Sequence, residues 1–316
     1  MRQYILKRLV MLLPVLFGVS LIIFFSIRAI PGDVVIAMLG EEQTLSQEQI
    51  ERFRRELGID QPVHIQYAQW ATKALRFDLG RSLWTNQEVT KEIGSRLLVS
   101  VELALLAVLL STMLAIPAGV LSAMRQNTWL DFGSRFVSII GLSVPNFVLA
   151  GLLLLMPALW FGWIPPLGFV PFWSDPAGNL QQIALPALAL SSHMAAVSMR
   201  MTRSAMLDVL REDYIRTAWA KGLQERAIMV RHALKNALIP VVTVIGGQFG
   251  HLLGGTIIIE AIFGIPGMGR LFLTAVQTRD YPLIQGEVLC MAVIFGVTNL
   301  AVDIMYGWFD PRIRYA

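Results

Sequence analysis

The chain of 316 residues is 55% hydrophobic and only 15% charged, against about a quarter charged in an ordinary soluble domain, and its mean hydropathy is +0.59. Such a composition excludes a soluble globular protein and places the chain in a bilayer. The net charge of +4, from 26 Lys and Arg against 22 Asp and Glu, is read by location, because basic residues collect on the cytoplasmic side of membrane proteins; it gives no ground for nucleic-acid binding. A single cysteine, Cys290, excludes an intrachain disulfide framework.

At the N-terminus Arg2, Lys7 and Arg8 precede an apolar stretch too long for a signal-peptide core and without a small-residue cleavage pattern. It reads as an uncleaved first span. Six windows have the roughly 20 apolar residues that a membrane helix needs: 9–30, 97–121, 136–160, 183–201, 238–262 and 285–305. The expected fold is therefore an all-α polytopic membrane protein with six transmembrane helices. Lys and Arg concentrate in the alternate short loops and in the long segment 203–235, which places both termini in the cytoplasm.

Three regions follow: an N-terminal tail and first helix (1–30), an extracytoplasmic amphipathic segment (31–96) and a five-helix core (97–316) that carries a cytoplasmic loop at 203–235. In the outer segment Ser46 and Gln49 form a capping-box pattern, Ile50, Phe53 and Leu57 recur at helical spacing, and "VHIQYAQWATKAL" predicts a second helix. Two outer helices of this kind would cover a cavity mouth or meet an extracellular partner; a solvated loop is the alternative.

Gly246, Gly250 and Gly254 lie four residues apart on one helix face, which lets another helix approach closely, in this chain or in a neighbour. Ionisable residues inside spans are functional candidates, and Glu102, Glu260, Asp303, His193 and His251 fall within or near the windows. Glu260 and His251 are candidate pathway residues. Glu260 could equally cap the end of its helix or pair with Arg270, and His251 could simply be packed. No catalytic constellation and no metal-ligand cluster stands out, and no Gly-Lys pair of a phosphate-cradling loop occurs. The chain is thus expected to be no enzyme and to hold no cofactor or metal of its own.

The segment "DYIRTAWAKGLQERAIMVRHALKNALIP" is charged and helix-prone, and Gly222 permits a sharp turn after Tyr214 to Lys221. Helix, turn and return helix make a protruding knob with Tyr214 and Trp219 available to a socket. A basic loop held by lipid headgroups is the bland alternative.

This stretch resembles the coupling loop of ABC importer permeases, Glu-Ala-Ala, three residues, Gly, nine residues, Ile-x-Leu-Pro. Gly222 matches the glycine and Ala218 the second alanine, while Arg216 and Thr217 replace Glu-Ala and Lys235 replaces the proline. That variant form is similar to permeases of dipeptide, oligopeptide, nickel and glutathione importers. "RAIPGD", "LGIDQPVHIQY", "IIIEAIFGIPGMGR", "TRDYPLIQGEVL" and "DPRIRYA" extend the resemblance along the chain; Val34 and Phe77 depart from the family's usual Pro and Gly.

The resemblance implies a bacterial inner-membrane permease in a heterodimer with a second permease. Two ATPase subunits would bind ATP and Mg, and an extracytoplasmic binding protein would deliver the solute. It further implies that Tyr214, Arg216, Ala218, Trp219, Lys221, Gly222 and Leu223 contact the ATPase. A peptide-type solute comes first, with a nickel chelate or glutathione as the alternative within the family. An ion-coupled secondary transporter is the rival of another class; it leaves the knob unexplained.

Overall fold

The computed structural model describes residues 2–29, 61–166 and 168–309. Among these the only non-helical pairing is an isolated antiparallel bridge between Arg81 and Glu88. In chain order the helices are α1 (Arg2–Ala29), α2 (Val63–Leu75), α3 (Val89–Met124), α4 (Trp129–Ser143), α5 (Asn146–Phe161), α6 (Pro176–Leu210), α7 (Asp213–Ala220), α8 (Leu234–Gly255), α9 (Ile257–Phe263), α10 (Met268–Gln277) and α11 (Tyr281–Phe309). A short turn, Glu225–Ala227, and a π-helical segment, Ile228–Ala233, lead without a break into α8.

Among the described residues five segments are long and apolar enough to cross a bilayer: Ile5–Ala29, Val89–Met124, Pro176–Leu210, Glu225–Gly250 and Tyr281–Ile304. Two of the windows depart from the straight helices predicted for them. The window at 136–160 is broken into α4 and α5, bent by 99°. Pro145 is the cause: it lacks an N–H, and the residue before a proline avoids the helical region, so Val144 is extended at φ −86°, ψ 120°. The window at 238–262 is interrupted at Thr256, and the chain then turns by 91° from α9 to α10.

Helix α6 starts well before its apolar window. Asp175 accepts hydrogen bonds from the N–H groups of Ala177 (3.1 Å) and Gly178 (3.0 Å), and Pro176 occupies the first helical position, the arrangement that satisfies exposed N-terminal donors.

The buried apolar residues form three clusters in sequence along the bundle. One gathers Ile27, Val89, Ile93, Met268, Ala275 and Tyr281. A second, central one holds Leu103, Ala107, Ala150, Ile183, Leu190 and Ile259. The third contains Ala123, Met206, Ile215, Ile228 and Ala233. Helix α3 runs through all three, and it packs extensively on α6. Gly119 makes that contact close: a Cβ there would meet Thr202 Cβ at 2.6 Å and the Met199 carbonyl at 2.8 Å.

Helix α2 coincides with the stretch predicted as an outer helix. It lies against the later part of α1, where Tyr67 stacks edge-on with Phe24 (5.2 Å) and its hydroxyl meets Ser20 Oγ at 2.9 Å. Ser46, Gln49, Ile50, Phe53 and Leu57, and the final "DPRIRYA", lie outside the described residues.

Candidate functional site

Helix α7 is built from a two-faced octet. Ile215 and Ala218, three apart, are buried against Met206, Ile228, Met229, Ala233 and Ala237. Tyr214, Arg216, Thr217 and Trp219 face outward, with Tyr214 41% and Trp219 46% exposed. Asp213 in the first turn suits the positive end of the helix. It also pairs with Arg216 at 3.2 Å. The Tyr214 hydroxyl accepts from Asn236 Nδ2 at 2.8 Å, which fixes the ring against the return helix.

The helix ends by backbone geometry. Gly222 takes φ +73° and its N–H bonds the Trp219 carbonyl at 2.9 Å, while the Leu223 N–H reaches the Ala218 carbonyl at 3.4 Å. A left-handed residue at this position closes a helix cheaply only when it is glycine. Lys221, Gly222 and Leu223 are exposed at the tip. Six of the seven residues predicted for the contact are thus exposed. Ala218, at 6% exposure, is on the underside.

A buried ionic strut roots this knob. Asp131 at the start of α4 is fully buried; Arg203 of α6 grips it with Nε to Oδ1 at 2.7 Å and Nη2 to Oδ2 at 3.0 Å. Ser122 Oγ of α3 donates at 2.6 Å, the Asn127 N–H at 3.0 Å, and Arg135 lies at 3.6 Å. Two-pronged guanidinium–carboxylate pairing fixes orientation as well as distance, so α3, α4 and α6 are locked together nearly three turns before α7 begins. Nothing in the local sequence marks Asp131; the available signal is an acidic residue opening a helix four places before Arg135.

The far end of α3 carries a second polar hub. Glu260, fully buried, accepts from Ser100 Oγ (2.7 Å), Thr256 Oγ1 (2.8 Å) and the Arg270 backbone N–H (2.9 Å). Ser100 Oγ in turn accepts from the Met268 N–H at 2.8 Å. Glu260 therefore caps the first turn of α10, where the helix dipole favours a negative charge. Its link to Arg270 is through the backbone, since the guanidinium donates to the Gly264 carbonyl (2.7 Å). Glu287 of α11 is also fully buried.

The remaining expected residues are dispersed. Asp303 pairs with Arg8 at 3.1 Å, tying the beginning of α1 to α11. His193 is exposed on α6, and Glu102 is half-buried on α3. Gly246 and Gly250 face α11 of the same chain: a Cβ at Gly246 would lie 2.6 Å from Val302, and one at Gly250 3.6 Å from Phe295 and Thr298. The His251 side chain and the surroundings of Gly254 lie outside the described residues.

A helical bundle with several membrane-length spans, a buried ionic strut and a short helix projecting from one end has the architecture of a polytopic membrane permease. Residues 115–315 match the family described as binding-protein-dependent transport system inner membrane component, and residues 1–104 match the N-terminal family of the same systems. The chain belongs to this family and is a multi-pass permease component of an ABC importer in the bacterial inner membrane.

Its similarity extends from end to end. It is 42% identical over 315 residues to a Brucella abortus (strain 2308) chain described as a peptide transport system permease protein, covering 100% of both. It is 39% identical over 315 residues, again 100% of both, to the glutathione transport system permease protein GsiC of Escherichia coli (strain K12). The crystal structure of an amino acid ABC transporter with histidines shares the fold, with a TM-score of 0.52 and 17% identity over 71% of this chain and 95% of that one.

Proposed function

We propose that this chain forms half of the translocation pathway of a peptide importer and that α7 is the coupling helix through which ATPase subunits drive it. The observation that carries the reading is the knob itself. An octet with an apolar underside and exposed Tyr214, Arg216 and Trp219 side chains ends in the glycine turn of Lys221, Gly222 and Leu223. Exposed aromatic and arginine side chains on a rigid base are the residue types that dominate protein interfaces. In this reading Ala218 shapes the contact from beneath and the other six residues make it.

Two ATPase subunits would supply ATP and Mg and perform all hydrolysis, a second permease would complete the pathway in a heterodimer, and a binding protein would deliver the solute. A peptide-type solute is supported by relatives named for peptide and glutathione transport; a nickel chelate stands as the alternative. Six crossings fit the contacts: α1, α3, the broken pair α4–α5, α6, α8 and α11. The hairpin of α9 and α10 then stays at one end, both termini lie with α7 in the cytoplasm, and residues 31–96 lie outside.

Gly222→Pro tests coupling. Proline holds φ near −65°, opposite in sign to the +73° required here, and it deletes the N–H that bonds Trp219. In proteoliposomes holding the assembled transporter, the variant is expected to insert normally, hydrolyse ATP and lose binding-protein-dependent peptide uptake. Uptake at the wild-type rate would refute the proposal. Uptake driven by an ion gradient without ATP would assign the chain to the secondary transporters instead.

A further inference from the structure

Between the end of α1, helix α2, the turn at 78–83 and the start of α11 lies a cavity of about 270 Å³, just below the roughly 300 Å³ at which small-ligand sites begin. Part of its wall is apolar, from Phe24, Ile27 and Trp70. Two cations, Arg28 and Lys73, share it with the amides of Gln66, Gln69 and Gln285. This mixture matches a ligand that is anionic and hydroxylated at one end and apolar at the other.

Among the described residues neither cation has an anionic partner. Arg28 lies over the Phe24 ring, 3.5 Å from its centroid, and donates to Gln66 Oε1 at 2.7 and 3.2 Å and to the Phe24 carbonyl at 3.1 Å. All of these acceptors are neutral, and they use three of the guanidinium's five N–H groups. Lys73 forms no ion pair among the described residues. The one carboxylate in the lining, Asp78, accepts from the Gly80 N–H at 3.0 Å within its own turn. The described lining residues therefore carry a net charge of +1 (two cations, one carboxylate).

Depth in the membrane identifies the source of the anion. Arg28 is in the last turn of the apolar segment Ile5–Ala29. Beside the cavity Leu75 and Phe77, 84% and 86% exposed, and Trp84 present bare apolar surface. Such residues at the end of a span belong at the headgroup level, where they anchor against lipid. A cavity at that level, open beside them and edged by Arg and Lys, meets phospholipid headgroups directly.

We propose that this cavity binds the headgroup of an anionic phospholipid, with Arg28 and Lys73 on the phosphate, Gln69 and Gln285 on the glycerol hydroxyls, and Trp70 against the first acyl methylenes. The lipid would join α1 to α2 and the start of α11 as a fixed part of the fold. The site makes no use of the knob, so it stands or falls separately from the coupling role of α7.

Native mass spectrometry of the assembled transporter in detergent, titrated with phosphatidylglycerol, tests it. The wild type is expected to retain one phosphatidylglycerol more tightly than phosphatidylcholine of the same chains. Arg28→Gln is expected to weaken it about fivefold, in keeping with the attraction of single basic residues to anionic membrane surfaces, and Lys73→Glu, which reverses the charge, by more. Lys73 is exposed, so its substitution leaves the fold intact. Unchanged phosphatidylglycerol affinity in both variants, or equal retention of phosphatidylcholine, would overturn the proposal. So would displacement of the lipid by millimolar inorganic phosphate, which would assign the site to a free anion.

Discussion

Asp131 is a buried carboxylate whose charge is met by Arg203 and whose remaining lone pairs are met by Ser122 and the Asn127 N–H. Removing one partner of such a pair leaves the other charge stranded, at a cost of about 3–5 kcal/mol. Asp131→Ala is therefore expected to lower the apparent melting temperature of the detergent-purified chain sharply. Arg203→Met alone should do the same. The double variant Asp131→Leu with Arg203→Met should recover much of the loss, because an apolar pair of similar volume avoids the desolvation that the ion pair incurs. Additive losses would show that the strut acts through something other than charge pairing. Glu260 illustrates a different use of a buried carboxylate: three neutral donors and a helix N-terminus hold it.

Among the elements, α8 offers a controlled comparison of adjacent glycines. Gly246 faces α11, where an added Cβ would come within 2.6 Å of Val302, while Gly247 has nothing within 4 Å. Gly246→Leu forces α8 and α11 apart, an overpacking expected to cost about 1–3 kcal/mol. Gly247→Ala should be neutral or stabilising by up to about 1 kcal/mol, from helix propensity. Thermal unfolding of the two variants side by side checks the pair. What could be read in the sequence follows the same local logic. The octet of α7, its glycine stop and helix α2 were legible because propensity, spacing and turn chemistry all lie within a few residues. The breaks at Val144 and Thr256 were less so: hydropathy averages across Pro145, and of the Gly254–Gly255 pair before Thr256, Gly254 reads equally well as part of a helix-packing face. The early start of α6 was hidden because its capped first turns, "PAGNLQQ", are polar. The Asp131–Arg203 strut joins positions 72 apart, a pairing set by how α3, α4 and α6 pack and not by any local pattern. The π segment before α8 likewise has no residue signature in the chain.

At the scale of the whole molecule, the two ends are connected through α3. Its 36 residues, about 54 Å at 1.5 Å per residue, run from the cluster of Val89 and Ile93, through that of Leu103 and Ala107, to the one beneath α7. Close-packed interiors switch between discrete arrangements in place of stretching, so a force on α7 is expected to move α3 and α6 together and to repack the far cluster. Cys290 reports on this without any engineering. It is the only cysteine in the chain and is half-buried against that far cluster. In the assembled transporter, its labelling rate with a membrane-permeant maleimide is expected to differ severalfold between the nucleotide-free and ATP-trapped states. Arg203→Ala severs the strut at the root of α7 and should flatten that difference while ATP binding by the partner subunits persists. A nucleotide-dependent difference of wild-type size in Arg203→Ala would mean that the signal bypasses Asp131. Identical labelling in both states of the wild type would mean that the far cluster does not repack when the motor closes.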